Sequence, residues 1–262
     1  MTVAVPDVLA RIVARKREEL FETRAQQSVW ERQAAARTSY RDFAAALRHS
    51  PPAIISEIKK ASPSKGLLAA EFNPVAQAQA YAAGGAAALS VLTDRDFFQG
   101  SLADLASARA AVEVPVLRKD FTLEAAHVWE AAAHGADAIL LIAALLSARE
   151  LRDLRELAES LRLAALVEVH NDAELDSAIE SGARILGVNN RDLHTFEVRL
   201  ETSHRLAQRM PAGVIRVSES GIHSAANVAA LRASGYHAFL VGEHLMKSGN
   251  PTEALRALRE AP

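Results

Sequence analysis

Four segments of this chain repeat one pattern: YAAGGAAALSVL, EAAAHGADAILLI, DSAIESGARILGV and LRASGYHAFLVG. Each runs from an alanine-rich, helix-compatible stretch through a glycine directly into an apolar run of strand length. A glycine just past a helix adopts the left-handed conformation without a side-chain penalty, so each copy reads as a helix end followed by a strand. The glycines Gly85, Gly135, Gly182 and Gly235 fall 47 to 53 residues apart. A further apolar run lies inside each interval, and the full set is Ala53–Ile58, Ala87–Leu92, Val114–Leu117, Ala136–Ile142, Ala164–Val169, Arg184–Val188, Val214–Val217 and Ala238–Val241. Strands that alternate with helices need crossover connections and form a parallel sheet. Four quarters of two strand–helix units each predict an α/β chain closed into a (β/α)8 TIM barrel. Residues 1–262 are then one domain, with residues 1–50 as an N-terminal helical extension. The rival, an open doubly wound sheet, usually carries a GxGxxG loop after its first strand, and none occurs here.

Within the extension, Val8 to about Ala36 reads as one helix with Leu9, Ile12, Val13 and Leu20 on one stripe. Pro51-Pro52 then breaks the chain before the first strand. Thirty Lys and Arg against 32 Asp and Glu leave a net charge of −2, and no basic run is interleaved with aromatics, so no nucleic-acid partner is expected. The absence of cysteine removes disulfides, thiolate metal sites and a Cys nucleophile, and fits a reducing compartment. No apolar run approaches the roughly 18 residues of a membrane span. Asp7 and the charged run Arg15–Glu19 stand where a signal peptide needs apolar residues. The expectation is a soluble cytoplasmic protein with no membrane contact.

In such a barrel the C-terminal strand ends face the active site, and these ends carry unusual residues. Side chains alternate along a strand, so Ile54, Ser56 and Ile58 share one face of the first strand while Ile55, Glu57 and Lys59 share the other. Burying a carboxylate and an ammonium on one face carries a large desolvation cost, which function commonly explains. Further along come Lys119, Glu168, Asn189 and Arg191, then Glu219 and Ser220. Glu168 shares its face with Leu166, and Asn189 and Arg191 share theirs with Gly187. Ser220-Gly221 follows the seventh strand and Gly242-Glu243 the eighth, where barrels often grip phosphate through backbone N–H groups. The nine histidines show no HExxH and no ligand-spaced cluster, so no metal is expected; His170, His194 and His244 read as surface or supporting residues. No nucleophile elbow occurs either. The set suits proton transfer on a phosphorylated, anionic small molecule.

In order and spacing, IISEIKKASPSKG, PVLRKDF, LVEVH, GVNNRDL, VSESGI and FLVGEHLM resemble the indole-3-glycerol-phosphate synthase family of tryptophan biosynthesis. VLARIVARKREEL resembles that family's N-terminal helix, which helps cover the site. The resemblance runs from about residue 8 to 248. It implies ring closure of 1-(2-carboxyphenylamino)-1-deoxyribulose 5-phosphate to indole-3-glycerol phosphate, a carboxy-lyase reaction without cofactor or metal. It also implies roles. Lys119 is the general acid on the substrate carbonyl, Glu168 handles protons in the dehydration, Lys59 binds substrate or acts as an acid there, and Glu57 orients the lysines. Asn189, Arg191, Glu219, Ser220 and Ser62 hold the substrate. Phe98, Phe121, Leu140, Leu193 and Leu240 receive its aromatic ring, and Gly221, Gly242 and the backbone of Glu243 grip the phosphate. A non-covalent association with other enzymes of the pathway is compatible with this reading.

Two residues depart from the family pattern: His244 stands where a smaller residue is common, and Ser56 where alanine is. SPSKG, from Ser62 to Gly66, suits a mobile lid. A second lysine and exclusion of water lower a lysine's pKa while carboxylates raise it, and the balance at Lys119 and Lys59 stays open at this level. Other phosphate-binding barrels, and a non-catalytic barrel that binds a phosphorylated metabolite, are the alternatives. The related phosphoribosylanthranilate isomerases rely on a cysteine that this chain lacks.

Overall fold

Alternation along the eight apolar runs sorts the core into two shells, and that sorting fixes the architecture. The computed structural model describes residues 7–49, 52–63, 65–68, 71–193 and 195–260; Pro51, Ser64 and His194, all read above, lie outside them. Strands β1 (Ala53–Ile58), β2 (Ala88–Leu92), β3 (Val116–Lys119), β4 (Ala138–Ile142), β5 (Ala164–Val169), β6 (Ile185–Asn189), β7 (Ile215–Glu219) and β8 (Ala238–Val241) form a closed parallel barrel in sequential order. β1 closes it by pairing with both β2 and β8, Ile55 standing opposite Ala88 on one side and Leu240 on the other.

Inward residues Ala53, Ile55, Leu117, Leu140, Leu166, Ile185, Val217 and Leu240 fill the barrel. Outward residues such as Ile54, Ile58, Leu89, Val91, Ile139, Val167, Leu186 and Phe239 pack against the helices. Five strands begin one or two residues later than their runs suggest, at Ala88, Val116, Ala138, Ile185 and Ile215; β3 starts at Val116 rather than Val114 because Pro115 has no N–H to give to a ladder. The shift of two keeps the faces, so Lys119 still points inward with Leu117.

The four repeat glycines end their helices as expected, with φ of +89°, +86°, +79° and +90° at Gly85, Gly135, Gly182 and Gly235. Helix starts are set by side-chain caps: Asn73 Oδ1 accepts from Ala76 N, and Ser147 forms a reciprocal box with Glu150 at the head of α6 (Ala148–Ser160). Between β1 and α3 (Pro74–Gly84) the chain makes a ribbon of Ala61–Ser62 against Gly66–Leu67, which no periodicity signals in so short a segment.

The extension folds as α1 (Asp7–Ala35) and α2 (Phe43–His49). α2 plugs the N-terminal end of the barrel, its Phe43 and Leu47 belonging to the inner shell. α1 lies against α5 (Ala125–Ala133) and buries Leu9, Ile12, Val13 and Leu20, the stripe read from the sequence. On that stripe sits Lys16, 5% exposed. Its Nζ lies 3.2 Å from Asp94 Oδ2 and 3.0 Å from Asp120 Oδ1, so α1 is bolted to the loops that leave β2 and β3. No helix among the described residues is long and apolar enough to cross a membrane.

Removing one partner of a buried ion pair leaves the other charge uncompensated, a loss of about 3–5 kcal/mol. Lys16→Ala is therefore expected to lower unfolding stability toward that scale in urea titration, because it removes the ammonium shared by Asp94 and Asp120, although Asp120 keeps Arg118 at 3.1 Å. A change below about 1 kcal/mol, the range of exposed pairs, would show that α1 is held by its apolar stripe alone.

Candidate active site

At the C-terminal ends of the strands the inward positions change from aliphatic to polar: Glu57 on β1, Lys119 on β3, Glu168 on β5 and Glu219 on β7 are ionisable, and Asn189 on β6 adds an amide. They surround a cavity of about 470 Å³. Every residue proposed above for catalysis, substrate holding, ring binding or phosphate binding lies on its lining, although they come from positions 57 to 243. Ser56 points outward as its register requires.

Lys119 is the central cation. Its Nζ lies 3.0 Å from Glu168 Oε2 and 3.9 Å from Glu219 Oε2. Burial pushes its pKa down, but the carboxylates of Glu168, Glu219 and Glu57 outweigh burial and hold it above the ordinary lysine value. The question left open by the sequence resolves toward a stable ammonium. Glu168 also accepts from Asn189 Nδ2 at 3.2 Å. Burial pushes Glu168 up, while Lys119 and then His170 pull it well below the usual carboxylate range. Glu219, buried and next to Glu168, is driven the other way: burial first and the Glu168 charge second keep its proton on above the ordinary range. One carboxylate is thus held ionised and its neighbour is held as an acid. Lys59 pairs with Glu57 at the opposite side of the mouth.

Glycines make room for these groups. A side chain at Gly242 would meet Glu57 Oε1 at 2.2 Å, and one at Gly187 would meet Glu219 Oε1 at 2.2 Å. After β7 the chain turns through two left-handed residues, Ser220 at φ +66° and Gly221 at φ +79°. A Cβ on Gly221 would come within 2.5 Å of Val198 Cγ1. Gly221 and Gly242 both line the cavity, with Glu243 opening the short helix α10 (Glu243–Met246). The Glu243 carboxylate meets Lys65 at 3.3 Å and Arg191 at 3.7 Å. Arg191 in turn donates to Phe196 O at 3.3 Å. At the other end Phe98 and Phe121 place their rings 6.2 Å apart over Leu140 and Leu240.

Other lining residues escape sequence reading. Val8, Leu9 and Ile12 of α1 close one wall, and Lys65, Leu68, Phe196, Val198 and Ile222 come from loops. The α1 stripe was visible as apolar, but nothing local tells which part of a stripe reaches over a barrel mouth. His244 lines the cavity with His223, their rings 6.1 Å apart, while His170 stands behind Glu168. Among the described residues no cluster of His, Asp or Glu is arranged to hold a metal ion.

The family model described as Indole-3-glycerol phosphate synthase matches residues 9–258. A protein of that name from Acidithiobacillus ferrooxidans is 51% identical over 96% of this chain and 98% of its own length. Another of the same name from Chromobacterium violaceum is 49% identical over 96% and 97%. Among solved structures, 3-hexulose-6-phosphate synthase superposes with a TM-score of 0.64 at 14% identity, covering 80% of this chain and 99% of its own. Thiamine phosphate pyrophosphorylase from Pyrococcus furiosus gives 0.61 at 18% identity, covering 80% and 95%. At that identity the two structures speak for the barrel alone.

The opposed carboxylates have a measurable signature. In a carbon-13 NMR titration one glutamate carboxyl, that of Glu219, should titrate well above the ordinary glutamate range, and Glu168→Gln should bring it down by removing the neighbouring negative charge. The folded state binds this proton more tightly than the unfolded chain, so its contribution to stability is full at low pH and is lost as pH rises through the folded value. A Glu219 carboxyl that titrates normally in the folded protein would refute the assignment.

Proposed function

The chain belongs to the indole-3-glycerol phosphate synthase family, and from that premise we propose how its residues divide the work of the reaction. The reaction, part of tryptophan biosynthesis, closes 1-(2-carboxyphenylamino)-1-deoxyribulose 5-phosphate to indole-3-glycerol phosphate. The ring carbon bearing the carboxylate attacks the ketone carbon while the ketone oxygen takes a proton. Carbon dioxide then leaves and returns its bonding pair to the ring. Finally the new hydroxyl departs as water, with one proton delivered to it and one removed from the methylene carbon beside the nitrogen.

Lys119 supplies the first proton. The observation that carries this reading is its ammonium, kept charged by Glu168, Glu219 and Glu57 in a cavity with apolar walls. Such a group is a proton donor fixed at the reacting centre. Glu168, held ionised 3.0 Å away, is the acceptor for the methylene proton. Lys59 and Arg191 hold the anionic substrate, with Asn189, Ser62 and Ser220 around it and Glu219 beneath. Glu57 orients Lys59. The substrate ring lies among Phe98, Phe121, Leu140, Leu193 and Leu240. The phosphate takes the backbone N–H groups at Gly221, Gly242 and Glu243, where the missing side chains let its oxygens approach. The setting proposed is the cytoplasm, and any macromolecular contact proposed is a non-covalent one with other enzymes of the pathway.

Positioned acids contribute about 10²–10⁴-fold to rate. Lys119→Gln is expected to lower kcat on that scale, followed by indole fluorescence, with KM little changed; near-normal turnover would remove Lys119 from the acid role. Inorganic phosphate should inhibit competitively with substrate, and Gly221→Val should weaken that inhibition. Inhibition that is indifferent to the substitution would move the phosphate elsewhere.

A further inference from the structure

Behind the cavity, out of reach of anything bound in it, His170 follows β5 with 10% of its side chain exposed. Its surroundings are unusual for a histidine. The backbone N–H of His170 donates to Glu174 Oε2 at 2.8 Å, and the ring Nδ1 lies 2.9 Å from the same oxygen. Glu174 is itself fixed in the first turn of α7 (Asp172–Glu180). Its N–H donates to Asn171 Oδ1 at 3.0 Å, and its Oε1 accepts from Asn171 Nδ2 at 2.6 Å. A carboxylate in a helix's first turn is favoured by the dipole there. The other ring nitrogen, Nε2, stands 3.3 Å from Glu168 Oε1.

A neutral imidazole has one N–H and one lone pair. Here each nitrogen faces a carboxylate oxygen, so either tautomer would turn a lone pair onto an anion. Only the imidazolium suits both sides, hydrogen-bonded to Glu174 through Nδ1 and in ion-pair contact with Glu168 at 3.3 Å through Nε2. Burial disfavours that charge, yet Glu168 and Glu174 together raise the pKa of His170 to about 10.

The charged groups around Glu168 give this cation a task. Lys119 faces it from β3, the protonated Glu219 from β7, and Glu57 adds its charge from β1; Asn189 is the neutral neighbour on β6. On the α7 side the facing group is Glu174. Lys119 is spent in the first step: having protonated the ketone oxygen, it is a neutral amine. Among the described residues, the cation that then remains in contact with Glu168 is His170.

We propose that His170 is a positioning residue for the reaction, an imidazolium clamped by Glu174 that fixes the Glu168 carboxylate in one orientation and keeps it ionised for the second proton transfer. This rests on the role given to Glu168 above. Removing the cation leaves Glu168 easier to protonate, so the acid side of the activity profile moves to higher pH.

The test is kcat and KM across pH for the intact enzyme and for His170→Asn, Glu174→Gln and Glu168→Gln. His170→Asn should lower kcat roughly tenfold, the scale of one charge-assisted hydrogen bond, while KM stays within about twofold and the acid limb of kcat moves up by about one pH unit. Glu174→Gln should shift the limb the same way by less, and it carries the test if the histidine variant does not fold. A His170→Asn enzyme that only loses melting temperature, with kcat and acid limb intact, overturns the proposal while Glu168→Gln remains inactive. Turnover persisting in Glu168→Gln would overturn the role of Glu168 itself, and this inference with it.

Discussion

One buried ammonium sets the terms for the mouth of this barrel. Lys119 would lose its proton in an apolar cavity, and three inward carboxylates prevent this. The carboxylates in turn are tolerable at that depth because the ammonium lies among them, with Glu168 at 3.0 Å and Glu219 at 3.9 Å. Charges so placed are worth more to one another than in water and cost more if left alone. Glu168 has both Lys119 and His170 against it while Glu219 has Lys119 at 3.9 Å, so the two divide: Glu168 is held ionised and Glu219 is pushed toward its protonated form. Acid and base functions at neutral pH follow from this division, so the ends of two strands separated by β6 carry the same residue type with opposite chemistry.

The glycines are the steric counterpart of this electrostatics. In a closed ring the inward layers are built from alternate strands, so an inward side chain lies across the strand between. A long carboxylate on one strand therefore needs emptiness on the next. Asn189 pairs in register with Glu219, and two residues earlier Gly187 leaves the volume that the Glu219 side chain occupies. Gly242 does the same for Glu57 across the β1–β8 seam. The volume left by the absent side chain of Gly242 is thus taken by the carboxylate that pairs with Lys59.

How much of this the sequence discloses follows from the range of each signal. Strand and helix ends are local, and the four glycines with their positive φ make the quarters of the barrel readable. The inward direction of Glu57, Lys119, Glu168 and Glu219 is readable too, because alternation is a property of four or five residues. What stays hidden is decided by residues far apart. Lys16 on α1 looks like one charge among many until the fold brings Asp94 and Asp120 to it. Val198 sits in a loop without periodicity, and its place beside Gly221 comes from the turn at Ser220. The pKa balance at Lys119 is the clearest case. Its sign depends on how many carboxylates lie within a few ångströms, and no spacing in the chain encodes that count.

The pairing pattern bears on how an anionic substrate enters. Lys59 is held by Glu57, Lys119 by Glu168, and Lys65 and Arg191 by Glu243. Each cation at the mouth already has a carboxylate, so a substrate carrying a carboxylate and a phosphate meets no surplus positive charge. In the binding mode proposed above its anions bind by exchange: a phosphate at Gly242 would compete with Glu243 for Lys65 and Arg191, and a carboxylate with Glu57 for Lys59. Such exchange replaces one ion pair by another, so it contributes little net attraction and much discrimination. It also explains the value of a protonated Glu219. A fourth ionised carboxylate under the substrate would repel both of its charged ends, whereas a neutral acid donates a hydrogen bond to them. In the proposed binding mode affinity is then left to the apolar wall of Phe98, Phe121, Leu140 and Leu240, and the charges are free to act in the transition state rather than in binding.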